Sequence, residues 1–127
     1  MRLAIIGLGR MGSDMARRLM RDGHELVVSD LDAAATAALV TEGATGSSSL
    51  ADAVRHLAKP RVVWAMVPAG QATEQVVMDS LKVLEPGDVI VDGANSNYKD
   101  SMRHAAAAAA KGVLWLDAGV SGGVWGL

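Results

Sequence analysis

Six residues near the start of the chain constrain it more than any other stretch: Gly7-Leu8-Gly9-Arg10-Met11-Gly12. The short apolar run Arg2 to Ile6 precedes them and reads as a buried strand. Met11, Met15, Leu19 and Met20 follow at helical spacing, up to a break at Asp22-Gly23. A G-x-G-x-x-G placed between strand and helix has a mechanical reading. The first glycine allows a tight turn, the second lets the backbone approach a pyrophosphate, and the third lets helix pack closely on strand. The helix start then offers unpaired N–H groups and a partial positive charge to an anion. Glycine-rich turns also occur where nothing binds, so the pattern needs support from the rest of the chain.

That support begins with alternation. Glu25 to Ser29 reads as a second strand, and Asp32 as the N-cap of an alanine-rich helix reaching about Val40, ended by Gly43. Ala44 to Gly46 suggests a short third strand, and Ser49 caps a helix through about Leu57. After Lys59-Pro60, Arg61 to Val67 is an apolar strand stopped by Pro68. Ala72 to Leu84 is helical, Glu85-Pro86-Gly87 a turn, and Asp88 to Val91 another strand. A helix from about Tyr98 to Ala110 contains six consecutive alanines, which is high helix propensity rather than a linker. Val113 to Leu116 is the last strand, before a glycine-rich tail. Continuously apolar strands alternating with helices imply a parallel sheet covered on both faces. The expectation is an α/β Rossmann fold, doubly wound, with about six strands in the order 3-2-1-4-5-6. Residues 1–127 then form one dinucleotide-binding domain with no internal boundary, a length sufficient for one core.

Composition removes other function classes. With no cysteine, disulfides, thiol catalysis and cysteine-ligated zinc are excluded. His24, His56 and His104 follow no ligand spacing and read as structural or surface residues, so no metal site is expected. A net charge of −2 leaves no basic patch for nucleic acid. No apolar run approaches the roughly 20 residues of a membrane span, and Leu3 to Ile6 is too short for a signal-peptide core. A cytoplasmic protein without nucleic-acid or membrane partners is expected.

Asp30 ends the second strand, 18 residues past Gly12. An acidic side chain there accepts hydrogen bonds from adenosine ribose hydroxyls and repels a 2′-phosphate. Leu31 and Asp32 supply no guanidinium to hold such a phosphate, so NAD is expected over NADP. Asp30 also fits a turn, and Asp32 reads better as a helix cap. Two more loops follow strands at the edge where open α/β sheets bind ligands: Val67-Pro68-Ala69-Gly70 and Asp92-Gly93-Ala94-Asn95-Ser96. Both are also rich in ordinary turn residues.

Taken together, G-L-G-R-M-G-x-x-M-A-x-x-L, M-V-P-A-G, D-G-A-N-S with Y-K-D behind it, and V-S-G-G-V-W-G resemble the shorter, bacterial type of 6-phosphogluconate dehydrogenase, in order along the whole chain. The resemblance implies that Gly7, Leu8, Gly9, Arg10, Met11 and Gly12 wrap a pyrophosphate and that Asp30, Leu31 and Asp32 flank the adenosine ribose. It implies that Val67, Pro68 and Ala69 touch the nicotinamide half of the cofactor. Asn95 would lie between cofactor and substrate, with Ser121, Gly122 and Gly123 holding the sugar acid, 6-phosphogluconate or a related hydroxy acid. Members oxidise a hydroxyl, lose carbon dioxide and tautomerise an enediol, using a lysine and a glutamate downstream of the S-G-G loop in a helical, dimer-forming domain.

Two departures from the family pattern stand out. Ala94 replaces a second glycine before the asparagine, and the sequence ends at Leu127, before the lysine, the glutamate and the helical domain. No catalytic residue is therefore expected within it, and the chain is expected to bind cofactor without turnover. Lys99 reads as a solvated residue at a helix start. One alternative is the cofactor domain of another β-hydroxyacid dehydrogenase, of the 3-hydroxyisobutyrate type. Another is a non-catalytic nucleotide-binding or interaction module, which the apolar end Val124, Trp125 and Leu127 suggests. Self-association through surface that a second domain would cover is also expected.

Overall fold

The computed structural model describes residues 1–94 and 96–118. Its elements alternate as β1 (Arg2–Ile6), α1 (Arg10–Arg21), β2 (Glu25–Ser29), α2 (Ala33–Val40), β3 (Thr45–Gly46), α3 (Leu50–Arg55), β4 (Val62–Ala65), α4 (Gln71–Val83), β5 (Val89–Asp92), α5 (Tyr98–Ala110) and β6 (Leu114–Asp117). All strand pairs are parallel. The sheet order is β3-β2-β1-β4-β5-β6, the expected doubly wound arrangement with its reversal between β1 and β4.

Successive residues of a strand face opposite layers, so the sheet separates two cores. Ala4 and Ile6 of β1, Val27 of β2 and Val63 and Ala65 of β4 pack with Ala53 and Val54 of α3, Val76 of α4 and Ala108 of α5. Leu3, Ile5, Leu26 and Val28 pack on the other side with Met15 and Ala16 of α1 and Leu39 of α2. Three helices therefore cover one face and two the other. On the less covered face, register aligns Val62, Val89 and Leu114 in one row and Trp64, Val91 and Leu116 in the next. Those rows run out into solvent at β6, where Leu114 is 59% and Leu116 57% exposed.

Caps explain most boundaries. Asp32 accepts a hydrogen bond from Ala34 N (3.0 Å), Ser49 from Asp52 N (3.1 Å) and Asn97 from Asp100 N (3.0 Å), starting α2, α3 and α5. Four strands start later than the apolar pattern suggests. Ala44 and Val113 donate their N–H groups backward to Leu39 O and Ala108 O, closing helices instead of entering the sheet. Asp88, fully buried, accepts from Arg61 N (2.7 Å), Glu85 N (2.8 Å) and Arg61 Nε (3.0 Å), so it joins the approach to β4 to the turn before β5. β4 is likewise shorter than Arg61 to Val67. Arg61 N is spent on Asp88, and β5 leaves after the bond from Gly93 N to Ala65 O.

Candidate dinucleotide site

The carboxyl edge of the sheet, at its reversal point, gathers the first set of expected residues. Gly7 leaves β1 with φ of +99°, and its N–H donates to Ser29 O (2.9 Å). A Cβ on Gly7 would stand 2.8 Å from the backbone C and O of Met66, and one on Gly12 only 2.1 Å from Gly7 O. The fold itself demands glycine at both positions. Gly9 is different. It has φ of −64° and ψ of −173°, open to any residue, and a Cβ there would have none of the described residues within 4 Å.

Gly9 is the N-cap of α1, yet no side chain caps that helix and no acidic residue lies in its first turn. Among the described helices, α2, α3 and α5 have side-chain caps, and α4 has Glu74 in its first turn. Among the described residues, no side chain accepts from the first N–H groups of α1, which stand beside a residue with no side chain. A helix start of this kind can take an anionic group that approaches the backbone closely. Leu8, only 5% exposed, anchors the loop in the core beneath α1, and Ser13 Oγ donates to Leu8 O (2.9 Å). Arg10 is exposed and Met11 half-buried at the helix start.

Asp30 follows β2 beside this turn. Its Oδ2 accepts from Leu8 N (2.5 Å) and its Oδ1 from Asp32 N (2.8 Å). Each oxygen retains a further lone pair for a second donor. Leu31 is fully exposed, and Asp32 serves as the cap of α2. Sequence reasoning put Asp30 at this edge but gave no sign of its bond to Leu8.

Two loops extend the edge. Val67 is half-buried, Pro68 and Ala69 are exposed, and Thr73 Oγ donates to Pro68 O (2.8 Å), fixing that turn on α4. Past β5, Asp92 is 2% exposed and holds the next loop from both sides. Its Oδ1 accepts from Ala94 N (2.8 Å) and its Oδ2 from Ser96 Oγ (2.8 Å). Asp92 escaped the sequence reading as a functional group. A carboxylate ending an apolar strand just before turn residues was the available signal. Beside it lies an open groove of about 410 Å³ lined by Asp92, Ser96, Tyr98, Ser101 and Asp117, among others. Asn95, Ser121, Gly122, Gly123, Val124, Trp125 and Leu127 lie outside the described residues.

Two other candidates lie on α5: Lys99 at its start, next to Tyr98 of that groove, and His104 within it. His104 is buried against Trp115, with ring centroids 5.6 Å apart, and its Nε2 lies 3.2 Å from Glu74 Oε2. The hydrogen bond from Arg103 holds the Glu74 carboxyl below the usual range, outweighing its burial. Lys99 is exposed on α5. Among the described residues no His, Asp and Glu grouping is suited to a metal ion, and no helix is long and apolar enough to cross a membrane.

Comparison with known proteins gives this edge its context. The family described as the NAD binding domain of 6-phosphogluconate dehydrogenase matches residues 2–127. An NAD(+)-dependent, decarboxylating 6-phosphogluconate dehydrogenase of Haloferax volcanii is 44% identical over 123 residues, covering 97% of this chain and 40% of that protein. A decarboxylating 6-phosphogluconate dehydrogenase of Bacillus licheniformis is 39% identical, covering 95% and 27%. The chain thus spans well under half the length of these relatives. Among solved structures, 3-hydroxyisobutyrate dehydrogenase of Mycobacterium tuberculosis, with L-serine, superposes with a TM-score of 0.88 at 31% identity, over 98% of this chain and 42% of that one. The 6-phosphogluconate dehydrogenase of Plasmodium falciparum, described with NADP+ and with 6-phosphogluconate, gives 0.83 at 26% identity, over 91% and 26%.

Proposed function

The chain belongs to the family of NAD-binding domains of 6-phosphogluconate dehydrogenase, and from that premise we propose that it binds NAD, in preference to NADP, for the oxidative decarboxylation of 6-phosphogluconate in the cytoplasm. The observation that carries the reading is Gly9. Among the described residues nothing requires glycine there, and a serine or aspartate would cap α1. A residue kept bare at a helix start, against its own stability, fits a ligand that must reach the backbone. Gly7 through Gly12 are assigned to the pyrophosphate, Asp30 to Asp32 to the adenosine ribose, and Val67, Pro68, Ala69 and Asn95 to the nicotinamide half. Asn95, Ser121, Gly122 and Gly123 are assigned to the sugar acid.

The preference for NAD rests on charge. A 2′-phosphate placed near Asp30 would meet a carboxylate, with Leu31 and Asp32 next in line and no cation among the three. When bound, NAD supplies the hydride acceptor. The residues assigned to this site bind and orient, and none of them is assigned as general acid or base. Residues 1–127 are proposed as the cofactor-binding unit, with proton transfer left to groups outside it.

Calorimetric titration of the chain with NAD, NADP and then 6-phosphogluconate tests this. Binding of NAD well above NADP, followed by uptake of 6-phosphogluconate by the binary complex, is the expected result. Equal affinity for the two cofactors would refute the charge argument, and binding of neither would remove the reading altogether. The TM-score of 0.88 to 3-hydroxyisobutyrate dehydrogenase supports a second reading, a smaller β-hydroxyacid substrate. Uptake of 3-hydroxyisobutyrate in place of 6-phosphogluconate would select it.

A further inference from the structure

We infer that Asp30 is a positioning residue for the glycine turn as well as a ribose acceptor, so that recognition of the sugar and seating of the diphosphate share one carboxylate. The inference rests on the dinucleotide reading of this edge. Leu8 is held at three points: its N–H by Asp30 Oδ2 (2.5 Å), its C=O by Ser13 Oγ (2.9 Å), and its side chain by the core under α1. The N–H bond is the only one of the three that crosses from the β2 end to the glycine turn, and its acceptor is a carboxylate, which makes it charge-assisted. The other Asp30 oxygen takes Asp32 N (2.8 Å), and Asp32 in turn caps α2. One carboxylate thus ties the turn before α1 to the turn before α2. Gly9, next in the chain, is held on one side by Ser13 N, which donates to its carbonyl (2.9 Å), and on the other by its link to Leu8. The tether at Leu8 therefore fixes the side of Gly9 that precedes α1.

This separates two consequences of neutralising Asp30. An asparagine has one acceptor oxygen and an amide that only donates. It can serve Leu8 N or Asp32 N, and the other N–H then faces a donor. If Asp30 acted on the ribose alone, the loss would vanish for a nucleotide without ribose hydroxyls. If it also positions Leu8, the loss persists, because the diphosphate itself is held less well.

The test compares ADP with 2′,3′-dideoxy-ADP on the wild-type chain and on Asp30→Asn, alongside amide hydrogen exchange without ligand. The variant is expected to bind dideoxy-ADP at least about fivefold more weakly than wild type, with Leu8 N–H exchanging at least about tenfold faster while core amides of β1 and β4 keep their rates. Ser13→Ala, which frees the Leu8 carbonyl, is expected to weaken both nucleotides by the same factor. Unchanged dideoxy-ADP affinity with unchanged Leu8 exchange would overturn the inference. Should the wild-type chain bind neither nucleotide, the function reading fails, and the Leu8 exchange rate alone decides the tether. Asp30→Ser serves for the same comparison if the asparagine variant does not fold.

Discussion

The contrast among the glycines of the turn yields a prediction in which stability and binding separate. Replacing Gly12 by alanine puts a Cβ 2.1 Å from Gly7 O, more than 1 Å inside ordinary contact, and the obstacle is backbone on a turn already fixed by Ser29 O and Met66. Alanine within a helix gains about 1 kcal/mol over glycine, whereas overpacking of a closed contact costs typically about 1–3 kcal/mol and occasionally more. Because neither side of the contact can swing away, strain wins. A net loss of about 1–2 kcal/mol, or roughly 4–8 °C in Tm, is expected for Gly12→Ala. Gly9→Ser meets nothing and supplies a cap, so its stability should stay within a few tenths of a kcal/mol of wild type or rise. Its hydroxyl would occupy an N–H and its Cβ would fill the approach. Loss of one charge-assisted bond, about 1.5–3 kcal/mol, weakens NAD roughly ten- to hundredfold. Urea denaturation and NAD titration on the two variants read both axes. A Gly9→Ser protein that binds NAD as wild type does, or that is destabilised as much as Gly12→Ala, would refute the reasoning.

Three further outcomes follow from other parts of the structure. Asp88 is pushed upward by burial, but the N–H groups of Arg61 and Glu85 and the Arg61 guanidinium outweigh that and hold its carboxyl below the usual range. Its contribution is therefore complete above the usual aspartate range and is lost as pH falls below about 4 toward the lowered value. Asp88→Asn should cost about 3 kcal/mol at neutral pH and flatten acid unfolding, as urea melts from pH 7 down to 3 would show. The bare rows ending in Leu114 and Leu116 should make the chain self-associate at high concentration. Light scattering should show a mass that rises with concentration and falls back to monomer in Leu114→Ser/Leu116→Ser, and a monodisperse wild-type monomer would contradict this. His104→Ala should lose about 2–3 kcal/mol in denaturant titration, since it removes the ring against Trp115 and leaves Glu74 with one partner fewer.

The fold was legible because its signals are local and agree with one another. A buried parallel strand is a continuous apolar run, and Asp32, Ser49 and the turn at Glu85-Pro86-Gly87 are punctuation that short-range chemistry dictates. Strand starts were less legible. Whether the N–H of Ala44 or Val113 enters a sheet or closes the preceding helix depends on the geometry at the helix end, which an apolar pattern does not encode. The site was legible only as types of residue. A motif gives Gly7, Gly9 and Gly12 equal standing, but in space two of them answer to the fold and one does not.

That difference bears on how function can be argued for any glycine loop of this kind. A residue that packing explains carries no information about a ligand, however well it matches a motif. Gly7 and Gly12 would be retained by a domain that bound nothing, because Met66 and the Gly7 carbonyl exclude a side chain. Asp92 and Asp88 look alike in sequence, each an aspartate at one end of β5. Asp88 closes the amino end of the sheet and is satisfied by Arg61 and Glu85, whereas Asp92 shapes a loop at the ligand edge. Among the described residues of this turn, what remains after packing and internal hydrogen bonds are subtracted is Gly9, the uncapped start of α1 and the spare lone pairs of Asp30. These three are contiguous. They lie at the reversal of strand order between β1 and β4, the position where open α/β sheets bind their ligands. A dinucleotide supplies what each lacks: a charged diphosphate for the N–H groups, a close backbone approach at Gly9, and hydroxyl donors for the carboxylate. A ligand with only one of those features would leave the others unexplained.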